Sequence, residues 1–278
     1  MNASILSARH PMTEQQIAGT DVRVAALGDL HARPRSGGAP SLALPDLRDR
    51  ADLLLVAGDI TDTGLLSELE PAIASLAGVQ TPVVAVLGNH DLRTLRRTAF
   101  RRTLQQAGIA VLDGDGVVVE TAAGVRVGVA GVCGCGGGFW PASGPERFPS
   151  RAMKALALRT RRETARLDAA LTALRADADV LLALTHFAPT ASTLGREPLA
   201  KYWMLGNAEL GEVIDRHPVA LALHGHAHLG SPDGWTAGGV AVRNVALPVV
   251  GGVAIFELPV NVRAPLVDGA AALSGAPT

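Results

Sequence analysis

The chain has 278 residues, a formal net charge of −1, 48% apolar and 18% charged residues. That balance excludes a disordered chain and leaves no bulk charge to drive binding to nucleic acid or a membrane surface. With aromatics at 3%, the core must be built from Val, Leu, Ile and Ala.

The first twenty residues lack an uninterrupted apolar segment, so no signal peptide is expected there, and residues 1–20 are expected to be disordered. One domain is expected over 21–262. Val22–Leu27 reads as a strand stopped by Gly28, and the same grammar recurs: Asp52–Ala57 stops at Gly58, Pro82–Leu87 at Gly88 and Pro218–His224 at Gly225. Val180–Thr185 is a similar run without the glycine. Short, continuous apolar runs are those of strands covered on both faces. Between them lie helical patterns over Leu65–Leu76, with Pro71 as a break, Leu92–Ala107 and Arg151–Ala176. Val117–Glu120 and Val125–Ala130 read as a hairpin, and Val240–Ala246 and Gly252–Leu258 as strands with no helix between them. Residues 133–150 and 187–206 read as long loops, and 263–278, rich in Ala, Gly and Pro, as a disordered tail. Alternating strands and helices with these exceptions predict an α/β fold with mixed sheets. Mean hydropathy is +0.25, but no apolar run reaches the roughly 18 residues of a membrane span. Cys133 and Cys135, two positions apart, cannot frame a disulfide scaffold. A soluble cytoplasmic protein is expected.

Chemistry collects where the strands stop. Gly28 is followed by Asp29 and His31, Gly58 by Asp59 and Asp62, and Gly88 by Asn89, His90 and Asp91. The run 180–185 ends on His186, and Gly225 precedes His226 and His228. Ligands of α/β sheets gather outside the carboxyl ends of strands. Carboxylate, amide and imidazole donors without thiolate suit Mn, Fe or Zn. Asp29, His31, Asp59, Asn89, His186, His226 and His228 are too many for one ion. With one carboxylate shared, they suffice for two, each left with open positions.

The ordered blocks Asp29-Leu30-His31, Gly58-Asp59-Ile60-Thr61-Asp62, Gly88-Asn89-His90-Asp91, His186 and Gly225-His226-Ala227-His228 together resemble the calcineurin-like metallophosphoesterases. The resemblance spans residues 28–228 and implies a four-layer α/β/β/α sandwich of two mixed sheets flanked by helices. It implies two metal ions, one held by Asp29, His31, Asp59 and His228, the other by Asp59, Asn89, His186 and His226. Asp59 would bridge them. It further implies that His90 faces the leaving group, that Asp91 orients His90 and that Asp62 supports the ligands from behind. The implied reaction is hydrolysis of a phosphoester, a phosphodiester before a phosphomonoester or cyclic nucleotide, by a metal-bridging hydroxide attacking phosphorus in line. A non-catalytic metal-binding scaffold is the rival from another class, and intact ligands speak against it.

Outside these blocks, His10 is expected in the N-terminal tail, His217 at the surface and His224 in the core. Arginines cluster over 93–102 and 147–166 and read as solvated helix faces, with Arg93 placed to attract an anion. Without interleaved aromatics they form no nucleic-acid channel. The segment 189–207 is expected to rim the site and to offer Arg196, Lys201, Tyr202 and Asn207 to a small-molecule phosphoester. The cysteines read as small residues of a glycine-rich loop. Oligomeric state is not legible.

Overall fold

The computed structural model describes residues 21–34, 42–143 and 150–260. The expected tails at 1–20 and 263–278 lie outside the described residues, and His10 with them.

Strand β1 (Val22–Leu27), β2 (Leu53–Ala57), β3 (Val83–Val86) and β4 (Ala110–Leu112) run parallel, and β13 (Ala254–Leu258) pairs antiparallel with β1, giving the order β13-β1-β2-β3-β4. A second sheet comprises β5 (Asp115–Glu120), β6 (Arg126–Val132), β9 (Val180–Thr185), β10 (Val219–His224), β11 (Asp233–Trp235) and β12 (Ala241–Asn244). Its order is β11-β12-β10-β9-β6-β5. Its four central strands are parallel, and β5 and β11 close its edges antiparallel.

Alternate side chains of each strand go to different layers. From β2, Leu54 and Val56 pack against α1 (Leu69–Ala77) and α2 (Arg97–Gln106), while Leu53, Leu55 and Ala57 face the other sheet. From β9, Leu182 and Leu184 face inward, while Leu181 and Ala183 pack against α3 (Arg151–Leu174) and α5 (Ala208–Asp215). Three stacked cores make four layers, α/β/β/α. Every face of the central strands is covered, which is why their sequences are apolar throughout rather than alternating. Gly131 on β6 lets the sheets meet closely, since a Cβ there would come within 2.7 Å of the Val86 side chain. No helix among the described residues is long and apolar enough to cross a membrane.

Several elements differ from expectation. Pro71 sits in the first turn of α1, where no carbonyl partner is needed for its missing N–H, so the helix is not broken. The pattern from Leu92 becomes helical only at Arg97, because Leu95 adopts φ 55° and interrupts the regular backbone. The last two strands form no hairpin: β12 and β13 belong to different sheets, and the single turn α6 (Leu247–Val250) carries the chain between them. The segment 133–150 contains a short hairpin of β7 (Gly138–Phe139) and β8 (Ala142–Ser143). The segment 187–206 folds into helical turns, ending in α4 (Tyr202–Leu205). His217 is not a solvated surface group: its side chain is only 9% exposed and Nε2 lies 2.7 Å from Asp168.

Candidate metal centre

The strand ends at 27, 57, 86, 185 and 224 lie along one edge of the two sheets, and the loops after them converge. The edges are sewn together there, with the Gly28 N–H donating to Val245 O (2.8 Å) and the Leu247 N–H to Gly28 O (3.0 Å). Asp29 (φ 60°), His31 (φ 44°), Asp59 (φ 49°) and His226 (φ 68°) all hold left-handed backbone, a conformation costly for residues with a Cβ and concentrated at functional sites. The glycines beside them make room. A Cβ on Gly88 would overlap the Asp59 carboxylate, and one on Gly225 the carboxylate of Asp29. Gly88→Ala is expected to lower the unfolding free energy by about 1–3 kcal/mol through overpacking. Urea denaturation measures this, and an unchanged midpoint would show that the two groups do not press together.

Asp59 is the hub. Its Oδ2 lies 3.8 Å from His31 Nε2, 3.8 Å from His90 Nε2 and 3.4 Å from His186 Nε2, and its Oδ1 accepts from the His90 N–H at 2.8 Å. Burial would push this carboxyl up, but the His186 ring beside it and the other donors hold it well below the usual carboxylate range. Fully buried His186 points Nδ1 at Ala57 O (2.8 Å), leaving Nε2 against Asn89 Oδ1 (2.8 Å). Burial works against a charge on that ring, but Asp59 outweighs it and lifts His186 to about 9. Asp29 receives His228 Nε2 at 2.8 Å and the His226 backbone N–H at 3.0 Å. The hydrogen bond to Asp29 raises His228, whereas burial drives His226 down to about 3 and keeps it neutral, the form in which imidazole ligates.

These side chains form three overlapping groups able to hold an ion: Asp29 with His31 and His228; His31 with Asp59 and His90; and Asp59 with His186 and His226. The donor set fits a metal. His31 Nε2 is buried without a hydrogen-bond partner, and a carboxylate shared by three imidazoles is what two adjacent cations would occupy.

A family profile described as calcineurin-like phosphoesterase matches residues 22–230. The chain belongs to the calcineurin-like phosphoesterase family. Among solved structures, a phosphopantetheinyl hydrolase from Mycobacterium tuberculosis matches with a TM-score of 0.57 at 18% identity, over 81% of this chain and 89% of that one. The Plasmodium protein GAP50, an anchor in the inner membrane complex, matches with a TM-score of 0.50 at 14% identity, over 85% of this chain and 81% of that one. At such identities the likeness is one of fold. No curated protein matches the chain.

Two site expectations need correction. Asp91 does not orient His90. It is fully buried, and its carboxylate accepts from the backbone N–H of Ile60 (3.2 Å), Thr61 (2.8 Å) and Gly88 (2.8 Å) and from the Thr61 hydroxyl (2.7 Å). It shapes the loop that presents Asp59; burial, with the Asp59 charge added, pushes it up to about 6. The His90 ring is instead held by Asp62, whose backbone carbonyl accepts from Nδ1 at 2.6 Å. The Asp62 carboxylate reaches His31 Nδ1 (3.2 Å) and Arg33 Nε (2.8 Å). Asn207 is no substrate-binding group: it is buried, its Nδ2 donates to Cys135 O (2.6 Å), and its Oδ1 caps α5 through the Leu210 N–H (3.0 Å). Asn207→Ala is expected to cost about 2 kcal/mol through the lost cap and the unpaired carbonyl. Thermal unfolding would register it, and a neutral result would remove Asn207 from the framework.

Of the other expected groups, Arg93 is exposed and donates to His90 Nε2 at 2.8 Å and to Asp62 O at 3.2 Å. Lys201 lines a cavity beside Asn89 and His226. Tyr202 is half-buried against Phe139, Ala188, Leu194 and Ala227, so its ring serves packing. Arg196 is exposed, and its backbone N–H donates to Leu229 O (3.0 Å). Both cysteines are free and buried, and burial raises the Cys133 thiol well above its usual range. Trp203, from the segment expected to rim the site, lines the same cavity as Lys201, and so does Arg159, which the sequence reading left on a solvated helix face. Arg159 was hidden in a basic run on a helix, and no local signal distinguishes it from its neighbours.

Proposed function

We propose that the chain is a dinuclear metal-dependent phosphodiesterase acting on a small-molecule phosphoester in the cytoplasm. The observation that carries the reading is Asp59: one carboxylate faces His31 on one side and His186 on the other, and so joins two donor groups into one centre. Asp29, His31, Asp59 and His228 would hold one ion, and Asp59, Asn89, His186 and His226 the other, with Mn, Fe or Zn suited to the donors. When bound, the ions supply an acidified water and neutralise phosphoryl charge.

The protein's own groups do the rest. Asp62 fixes the His90 ring through Nδ1, so Nε2 is the atom left to face the leaving oxygen; it accepts from Arg93 in this structure and would donate to that oxygen as the imidazolium. Arg93, donating to that same Nε2, brings a cation to where phosphate oxygens would sit. A diester is favoured over a monoester because a cavity adjoins the centre at Asn89 and His226, with His90 outside its lining, and gives a second ester substituent somewhere to go.

The test pairs 4-nitrophenyl phosphate with bis(4-nitrophenyl) phosphate on Mn-loaded protein, with Asp59→Asn beside it. Faster diester cleavage, lost in the variant, is expected. Faster monoester cleavage would replace the diesterase reading with a phosphatase. Bound metal without cleavage of either would favour the scaffold.

A further inference from the structure

A cavity of ≈ 460 Å³ opens beside the metal centre. It touches the centre only through Asn89 and His226; Asp29, His31, Asp59, His90 and His228 do not line it. Its walls are largely apolar, from Leu156 on α3, Phe187 after β9 and Trp203, Met204 and Leu205 on α4. Arg159 and Lys201 also line it, and neither has an ion-pair partner among the described residues.

The wall carried by α4 is seated with care. The Gly137 N–H donates to Trp203 O and the Gly138 N–H to Gly206 O, both at 2.8 Å. A Cβ on Gly136 would come within 2.5 Å of Trp203 O. The glycine run after Cys135 therefore exists to let α4 lie flat against it. The same wall reaches the metal centre, since His226 Nε2 lies 3.2 Å from Met204 O. A helical turn of four residues, placed by bare backbone and tied to a candidate ligand, is a built part of the site.

We infer that this cavity holds the ester group of the substrate that is retained after cleavage, and that this group is a bulky apolar body carrying an anion. The inference rests on the phosphodiesterase reading and names its substrate class. In the reaction the bond from phosphorus to the leaving alcohol breaks, and a bond from phosphorus to the oxygen of water forms. The proton goes to the leaving oxygen, and the retained alcohol stays in the cavity as its phosphomonoester. Leu156, Phe187 and Trp203 supply apolar contact for the body. Arg159 and Lys201 are both exposed, so they stand at the mouth of the cavity, where they pair with the anion. The volume lies within the roughly 300–1,000 Å³ of small-molecule sites and exceeds what a methyl ester needs.

The test uses three 4-nitrophenyl diesters whose retained groups are methyl, phenyl and 4-carboxyphenyl. Wild type is expected to prefer phenyl to methyl, and carboxyphenyl to phenyl, each by about tenfold in kcat/KM. Leu156→Trp should erase the preference for phenyl, and Arg159→Gln the preference for carboxyphenyl. Leu158→Trp, an exposed position on the same helix that does not line the cavity, should leave both preferences as they are. Calorimetric titration with diphenyl phosphate reads binding without turnover, and Leu156→Trp should weaken it about tenfold relative to dimethyl phosphate. Equal kcat/KM for all three diesters, or diphenyl phosphate binding untouched by Leu156→Trp, would overturn the inference while leaving the hydrolase reading intact. Failure to cleave any of the three, with tight diphenyl phosphate binding lost in Leu156→Trp, would overturn the hydrolase reading and keep the cavity as a binding site.

Discussion

Replacing Asp59 by Asn is expected to lower diester turnover by at least about a thousandfold, some 4 kcal/mol of transition-state stabilisation, and to reduce metal content from two ions per chain to one or none. Asn has nearly the same shape and keeps an oxygen for the His90 N–H, so the loop should stand. What disappears is the negative charge that faces His31, His90 and His186 together. Each proposed ion position draws on that charge, so one substitution disturbs both. Elemental analysis after loading and dialysis gives the stoichiometry, and assay of bis(4-nitrophenyl) phosphate gives the rate. Two ions retained with full turnover would show that Asp59 is not shared.

His90→Ala should behave differently. Metal content is expected to stay at two, because the proposed ligands do not include His90. Turnover should depend on the leaving group. For 4-nitrophenolate, which departs without help, the loss should stay below about tenfold, whereas for an alkoxide it should reach about 10²–10³, the range of a positioned proton donor. The Nδ1 contact to Asp62 O fixes which nitrogen faces the reaction, and Arg93 lies on that nitrogen already. The measurement is the slope of log kcat against leaving-group pKa, expected to steepen in the variant. Parallel slopes would assign His90 to structure alone.

The strands that carry the site could be read in the sequence because they are buried on both faces and stop at glycine; Val22–Leu27 and Val180–Thr185 fall where their apolar runs begin and end. Strands of three residues, Ala110–Leu112 and Asp233–Trp235, are too short to carry a period and were not seen. The histidines and carboxylates were legible as a set, since their spacing repeats at successive strand ends. The work of Asp91 and Asn207 was not, because their partners are mostly backbone groups: the N–H groups of Ile60, Thr61 and Gly88 for one, beside a single hydroxyl, and Cys135 and Leu210 for the other. Backbone partners leave no complementary residue type to find. The same holds for the glycines after Cys135, which read as a loose loop yet seat α4. His217 was misplaced for a related reason, its partner Asp168 being 49 residues away on α3.

The left-handed backbone at Asp29, His31, Asp59 and His226 sets heredity at odds with durability. Each such residue costs up to roughly 1–3 kcal/mol, and glycine would relieve it at the loss of a donor. A library of random variants sorted only for heat resistance should therefore accumulate glycine at these four positions and fall silent as a hydrolase. Lineages that keep the donors are those in which turnover itself is under selection.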